Sequence, residues 1–103
     1  MIRNAKHLNF IASLPCVLCG DDSCAAHIRI GGGGGMGLKP HDSHTVPLCH
    51  KHHSEQHNRG ERTFWGDVQK AINLAAYLYA NTGDREACEL KIAEFRREFY
   101  NKK

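Results

Sequence analysis

Two pairs of metal-binding residues, set far apart along a short chain, constrain this sequence more than anything else in it. Cys16-Val17-Leu18-Cys19 carries the first pair, and Cys49-His50-Lys51-His52 carries the second after twenty-nine intervening residues. Cys-x2-Cys and Cys-x2-His are spacings at which a tight turn aims both ligands at one ion, and thiolate with imidazole suits tetrahedral zinc. The pattern predicts that Cys16, Cys19, Cys49 and His52 close around a structural Zn2+. Cys24 competes as a ligand but lies outside the paired spacing. Cys88 falls among apolar helical positions and reads as packed. Five cysteines, an odd number, weaken a disulfide reading.

At 103 residues the chain has the length of one domain, 1–103. Such a domain buries a limited core, so a metal staple helps its stability. No apolar run is long enough to span a bilayer, and the segment from Met1 to Leu8 lacks the apolar core of a signal peptide. The expectation is a cytoplasmic protein with no membrane partner. In that reducing compartment Cys-x-x-Cys reads as metal binding before disulfide. The net charge of +3 permits nucleic-acid binding without demanding it. All eight histidines lie between His7 and His57, so the chemistry concentrates in the first sixty residues and the remainder reads as scaffold.

Local patterns predict a helix over residues 4–13, stopped by Pro15, then a knuckle from Cys16 to Gly20. A short strand is expected from Cys24 to Ile30 and a second from His44 to Leu48, where Pro47 restricts pairing to an edge. Between them, the run from Gly31 to Gly37 is too rich in glycine for helix or strand. It reads as a linker or as a loop that approaches a phosphate backbone closely. No GKS/T follows it, which argues against a nucleotide P-loop. A helix is expected from His50 to about Asn58, ended by Gly60. A longer one follows over 64–81, with Val68, Ile72, Ala75, Ala76 and Tyr79 at near-helical spacing. Asp84 caps a last helix to about Tyr100, with Ala87, Leu90, Ile92, Ala93, Phe95 and Phe99 as its apolar positions.

Beyond the zinc ligands, His53 and His57 stand at i and i+4 and share a helix face. Two imidazoles there can grip one divalent ion and leave its other positions open, as a catalytic metal requires. A solvated histidine-rich helix is the plain alternative, but Cys49 and His52 would anchor the start of the same helix. His27, near the end of the first strand, is a candidate general base. Asp42 and His44 are two residues apart and share a strand face, where either could orient His27 or complete the metal shell. Arg29, Lys39, Lys51, Arg59 and Arg62 are candidate phosphate contacts, with ordinary solvated charge as the alternative.

Taken together, these segments resemble a known family. Leu14-Pro15-Cys16-Val17-Leu18-Cys19-Gly20, Ala26-His27-Ile28-Arg29, the stretch from Gly35 to Asp42, and Val46 through His57 are similar to phage-type HNH endonucleases. The likeness is closest to the group around the RecA-dependent nuclease Ref and spans about residues 7 to 66. It implies an α+β fold: a zinc-stapled ββα-metal (His-Me finger) core over about 14–60, an N-terminal helix, and two C-terminal packing helices over about 61–103. It implies His27 as general base, His53 and His57 as catalytic metal ligands, and His44 where many members carry the middle Asn or His. His52 stands where a zinc-binding Cys is more usual. One departure is Ala26, where many members place a metal ligand immediately before the base.

The expected function is a metal-dependent DNA endonuclease that uses a histidine base and one divalent ion, Mg2+, Mn2+, Ni2+ or Zn2+. Cleavage leaving a 5′ phosphate is implied, with DNA read mainly through its backbone. A recombinase filament or a phage protein is the further partner the resemblance suggests. The alternative reading is a non-catalytic zinc module that binds nucleic acid, or an adaptor for phage or recombination machinery.

Overall fold

The computed structural model describes residues 5–28 and 44–101. Arg29, Lys39 and Asp42, and the glycine-rich run, lie outside the described residues. In chain order, α1 (Ala5–Ala12) precedes the Cys16–Gly20 turn, and β1 (Cys24–His27) and β2 (Thr45–Leu48) follow. Four helices complete the chain: α2 (His50–Arg59), α3 (Glu61–Trp65), α4 (Val68–Ala80) and α5 (Arg85–Asn101). Among the described residues the architecture is α+β, with five helices around one two-stranded antiparallel sheet.

The sheet is built by alternation. Cys24 faces Leu48, Ala25 faces Pro47, Ala26 faces Val46 and His27 faces Thr45. Successive strand residues point to opposite faces. Ala26, Val46 and Leu48, with Ile28 just beyond β1, are wholly buried in the core, whereas Ala25 and His27 are only half-buried on the other face. Pro47 fits because of where its ladder positions point. Its carbonyl accepts from the Val17 N–H at 3.0 Å, on the outer edge of β2, so the missing proline N–H removes no bond from the hairpin. That same bond ties the knuckle to the strand.

The long helix expected over 64–81 is two helices. Gly66 adopts φ +74°, a conformation that L side chains rarely take, and Asp67 then caps α4 by accepting from the N–H groups of Gln69 and Lys70. Phe64 and Trp65 on α3 share one core with the α4 stripe, whose buried residues are Ala71, Ile72, Leu74, Ala75 and Leu78. Ala76 and Tyr79, expected in that stripe, are exposed. In α5 the inward line is Cys88, Ile92, Phe95 and Phe99, at steps of four, three and four. Leu90, expected in that core, falls on the opposite side and is 67% exposed. Asp84 does cap α5, accepting from the Ala87 N–H at 3.1 Å.

Side chains sew the helices to the first half of the chain. The His7 ring on α1 meets Thr82 Oγ1 at 2.7 Å and packs edge-on against Tyr79. Arg85 donates to the Ser13 carbonyl at 2.8 Å, beyond the C-terminal end of α1. Trp65 packs edge-on to Phe64, Phe95 and Phe99, and its indole N–H donates to the buried Gln56 amide at 2.7 Å. That bond fixes α2 against α3 and α5. Trp65→Phe keeps most of the ring but strands the Gln56 oxygen, so a stability loss of about 1–3 kcal/mol is expected, read as a lower urea midpoint.

Candidate metal centre and histidine cleft

The four residues of the split pairs meet. The ligand atoms of Cys16, Cys19, Cys49 and His52 all lie within 4.8 Å of one another, close enough to hold a metal ion. Cys19 Sγ is 3.7 Å from Cys49 Sγ, and His52 Nδ1 is 3.2 Å from Cys49 Sγ and 3.6 Å from Cys16 Sγ. A tetrahedron with metal–sulfur bonds of about 2.3 Å and metal–nitrogen bonds of about 2.0 Å has S···S edges of about 3.8 Å and S···N edges of about 3.5 Å. The donor set and its edges therefore fit such an ion. All five cysteines are free, and the Cys19–Cys49 separation is far beyond the roughly 2 Å of a disulfide.

The backbone prepares this site. The Cys16 N–H donates to the Asp21 carbonyl, the Gly20 N–H to the Cys16 carbonyl, and the Leu18 N–H to Cys16 Sγ. Gly20 completes the turn at φ +82°. Burial pushes the Cys16 thiol up, but hydrogen bonds from the backbone around Cys49, Leu18 and Cys19 and from the His52 ring outweigh it, bringing it down to about 7. Burial and the neighbouring sulfurs of Cys16 and Cys49 push the Cys19 thiol up to about 12. The two values belong to one coupled cluster in which a second thiolate is disfavoured beside the first. A bound cation reverses that repulsion, so metal uptake releases protons and weakens in acid.

The C-terminal helix braces the same turn, a role the sequence reading did not find. Arg96 donates through Nε to the Val17 carbonyl at 3.1 Å and through Nη2 to the Cys16 carbonyl at 2.7 Å. Tyr100, one helical turn further on, donates to the Leu18 carbonyl at 3.0 Å. Three consecutive knuckle carbonyls are thus held from α5. The signal available in sequence was only the i, i+4 spacing of Arg96 and Tyr100 beside the apolar Phe95 and Phe99.

A second feature opens beside the centre. Ala25, His27, His53, Gln56, His57, Gly60 and Glu61 line a cleft of about 460 Å3. His27 comes from the end of β1, and His53 and His57 from one face of α2 with ring centroids 5.4 Å apart. Burial, then the charges of His57, His50 and His27, hold the His53 ring below its ordinary value, which favours the neutral form that binds metal. Cys24 is not part of the four-ligand group. Its sulfur sits 3.4 Å from His53 Nδ1 and 3.4 Å from the Leu48 carbonyl. Ala26, at the position of a potential further ligand, has its side chain on the core face of β1.

Other expected residues fall elsewhere. Thr45, not His44, stands opposite His27, and the His44 carbonyl accepts from the Ile28 N–H at 2.8 Å. His44 precedes β2 and is not among the described residues that line the cleft. Arg59 is exposed beside Gly60 at the end of α2, and Lys51 is exposed at its start, near Asp21 and Asp22 of the knuckle. Arg62 is exposed on α3. Gln56 and Glu61 join the cleft without having been expected there; Gln56 follows from its place one turn beyond His52, and Glu61 from the Gly60 turn.

Residues 1–70 match the family described as a protein of unknown function, DUF968. The chain belongs to DUF968. The match takes in both ligand pairs and every residue of the cleft. The chain is also similar to the uncharacterized protein YdfU of Escherichia coli (strain K12), at 45% identity over 53 residues. That segment is half of this chain and 15% of the length of YdfU. No solved structure matches. In this DUF968 member no helix of the described residues is long and apolar enough to cross a membrane.

Arg96→Met is expected to remove both guanidinium bonds to the knuckle and to cost about 1.5–3 kcal/mol. It should also speed metal loss to a chelator, followed by metal release against time. A matched loss of bound metal with acidification, measured by elemental analysis after buffer exchange, is expected as the thiolates take up protons.

Proposed function

We propose that this DUF968 protein is a metal-dependent DNA endonuclease of the HNH, or His-Me finger, superfamily. In this reading Cys16, Cys19, Cys49 and His52 hold a structural Zn2+, and the hairpin with α2 forms a ββα-metal core. The observation that carries it is the convergence of three histidines on one cleft: His27 from the first strand, His53 and His57 from the helix that follows the second. A base on the strand facing two ligands on the helix is the arrangement that the resemblance to phage-type HNH endonucleases implies.

The chemistry follows from these positions. His53 and His57 hold the catalytic divalent ion, Mg2+, Mn2+, Ni2+ or Zn2+. Two imidazoles on one ion have ring centroids about 5 Å apart, and theirs are separated by 5.4 Å. When bound, the ion supplies charge stabilisation to phosphate oxygens as negative charge develops in the transition state. His27 takes the proton from the attacking water, whose oxygen bonds to phosphorus as the bond from phosphorus to the 3′ oxygen breaks; the 3′ oxygen leaves as a hydroxyl and the phosphate stays on the 5′ carbon. Glu61 offers the cleft a carboxylate where Ala26 offers none. Arg59 and Lys51, with Arg29 and Lys39, contact the DNA backbone. Asp42 and His44 remain candidates for orienting His27. Activity in the cytoplasm beside a recombinase filament or a phage protein fits the likeness to the Ref group.

Nicking of supercoiled plasmid tests the reading. Zinc-loaded protein with Mg2+, Mn2+ or Ni2+ is expected to convert supercoiled to open-circular DNA, and His27→Ala to slow this about 10²–10⁴-fold. His53→Ala should do likewise. Cleavage at the wild-type rate in His27→Ala would remove the proposed base. DNA retarded in gels but never cut would favour the non-catalytic zinc module.

A further inference from the structure

Cys24 is unused by the four-ligand centre, yet its sulfur has two polar neighbours. One is the Leu48 carbonyl at 3.4 Å, which can only accept, so the thiol proton goes there. The other is His53 Nδ1 at 3.4 Å. With its one proton committed, the sulfur can only accept from the ring, so Nδ1 carries the hydrogen. Neutral imidazole has one N–H, and the other nitrogen, Nε2, is then bare. His53 lines the cleft while its Nδ1 is taken by Cys24.

We propose that Cys24 is a positioning residue: the relay His53 Nδ1–H to Cys24 Sγ–H to the Leu48 carbonyl fixes the tautomer and angle of His53 so that Nε2 is presented to a divalent ion in the cleft. This rests on the assignment of His53 as a catalytic metal ligand. The logic is that of histidine ligands generally, whose second nitrogen is held by an acceptor that sets ring orientation and raises basicity. Here the acceptor is a thiol, and the β2 backbone lies behind it. The relay also links the cleft to the hairpin at the Cys24–Leu48 pair, one residue before Cys49 enters the four-ligand centre. A shared ion between Cys24 and His53 is the competing account of the 3.4 Å separation. Metal titration of the Cys24 variants separates the two.

The test uses the full zinc-loaded chain. Long-range proton–nitrogen NMR correlations at a pH where His53 is neutral are expected to show its hydrogen on Nδ1. In Cys24→Ala the hydrogen should move largely to Nε2, the form free imidazole prefers in water, and Cys24→Ser should restore Nδ1 in part. Calorimetric titration with Ni2+ should show affinity about 10-fold weaker in Cys24→Ala, with partial recovery in Cys24→Ser. Unchanged thermal melting and one retained zinc per chain would exclude misfolding. An Nε2–H ring in the wild type, or no change on Cys24→Ala, overturns the proposal. So does complete loss of Ni2+ binding in both variants, which would make Cys24 a ligand. If His53→Ala leaves Ni2+ affinity unchanged, the catalytic metal reading fails by itself, while the tautomer still decides the relay.

Discussion

The meeting of Cys49 and His52 with the Cys16–Cys19 knuckle is the joint on which the other parts of this molecule hang. Before it, the chain is a short helix and a turn; after it, a hairpin strand has become a helix. Four ligand atoms within 4.8 Å of one another hold those two regions in one place. The Val17 to Pro47 bond lies alongside, so backbone and side chains fix the same junction. A core of this size has little redundancy, and a cross-link between sequence-distant segments removes much of the freedom that folding must otherwise overcome.

Support for that joint comes from the far end of the chain. Arg96 and Tyr100 hold the carbonyls of Cys16, Val17 and Leu18, while Phe95 and Phe99 meet Trp65. Trp65 in turn holds Gln56, which sits on α2 between His53 and His57 in sequence. The C-terminal helix therefore reaches both the metal centre and the helix that presents the cleft, through two separate lines of contact.

The parts of this arrangement that were legible in sequence are those governed by short-range spacing. Cys-x2-Cys, Cys-x2-His and His-x3-His each describe a single turn, and Asp84 capped the helix it precedes. The hairpin and the start of α2 were also readable from strand patterning and from Gly60. What was hidden depends on direction in space. Leu90 and Ala76 are apolar but face outward, because the inward line of each helix is set by its partners. The break at Gly66 was masked by spacing, because Phe64, Val68 and Ile72 continue one apolar line at steps of four across it. The Arg96 clamp and the contact between Cys24 and His53 join residues far apart in sequence, where no local pattern reports them.

His52 and His53 are adjacent, yet one belongs to the four-ligand centre and the other to the cleft. Successive residues on an α-helix are rotated by about 100°, and that angle alone separates the two environments. The phase between them is thus written into helical pitch rather than into any loop. Removing or adding one residue within the first turn of α2 would swing His53 and His57 around the barrel of the helix while leaving Cys49 seated. Within the first turns of α2 the two sites can change only in register with one another.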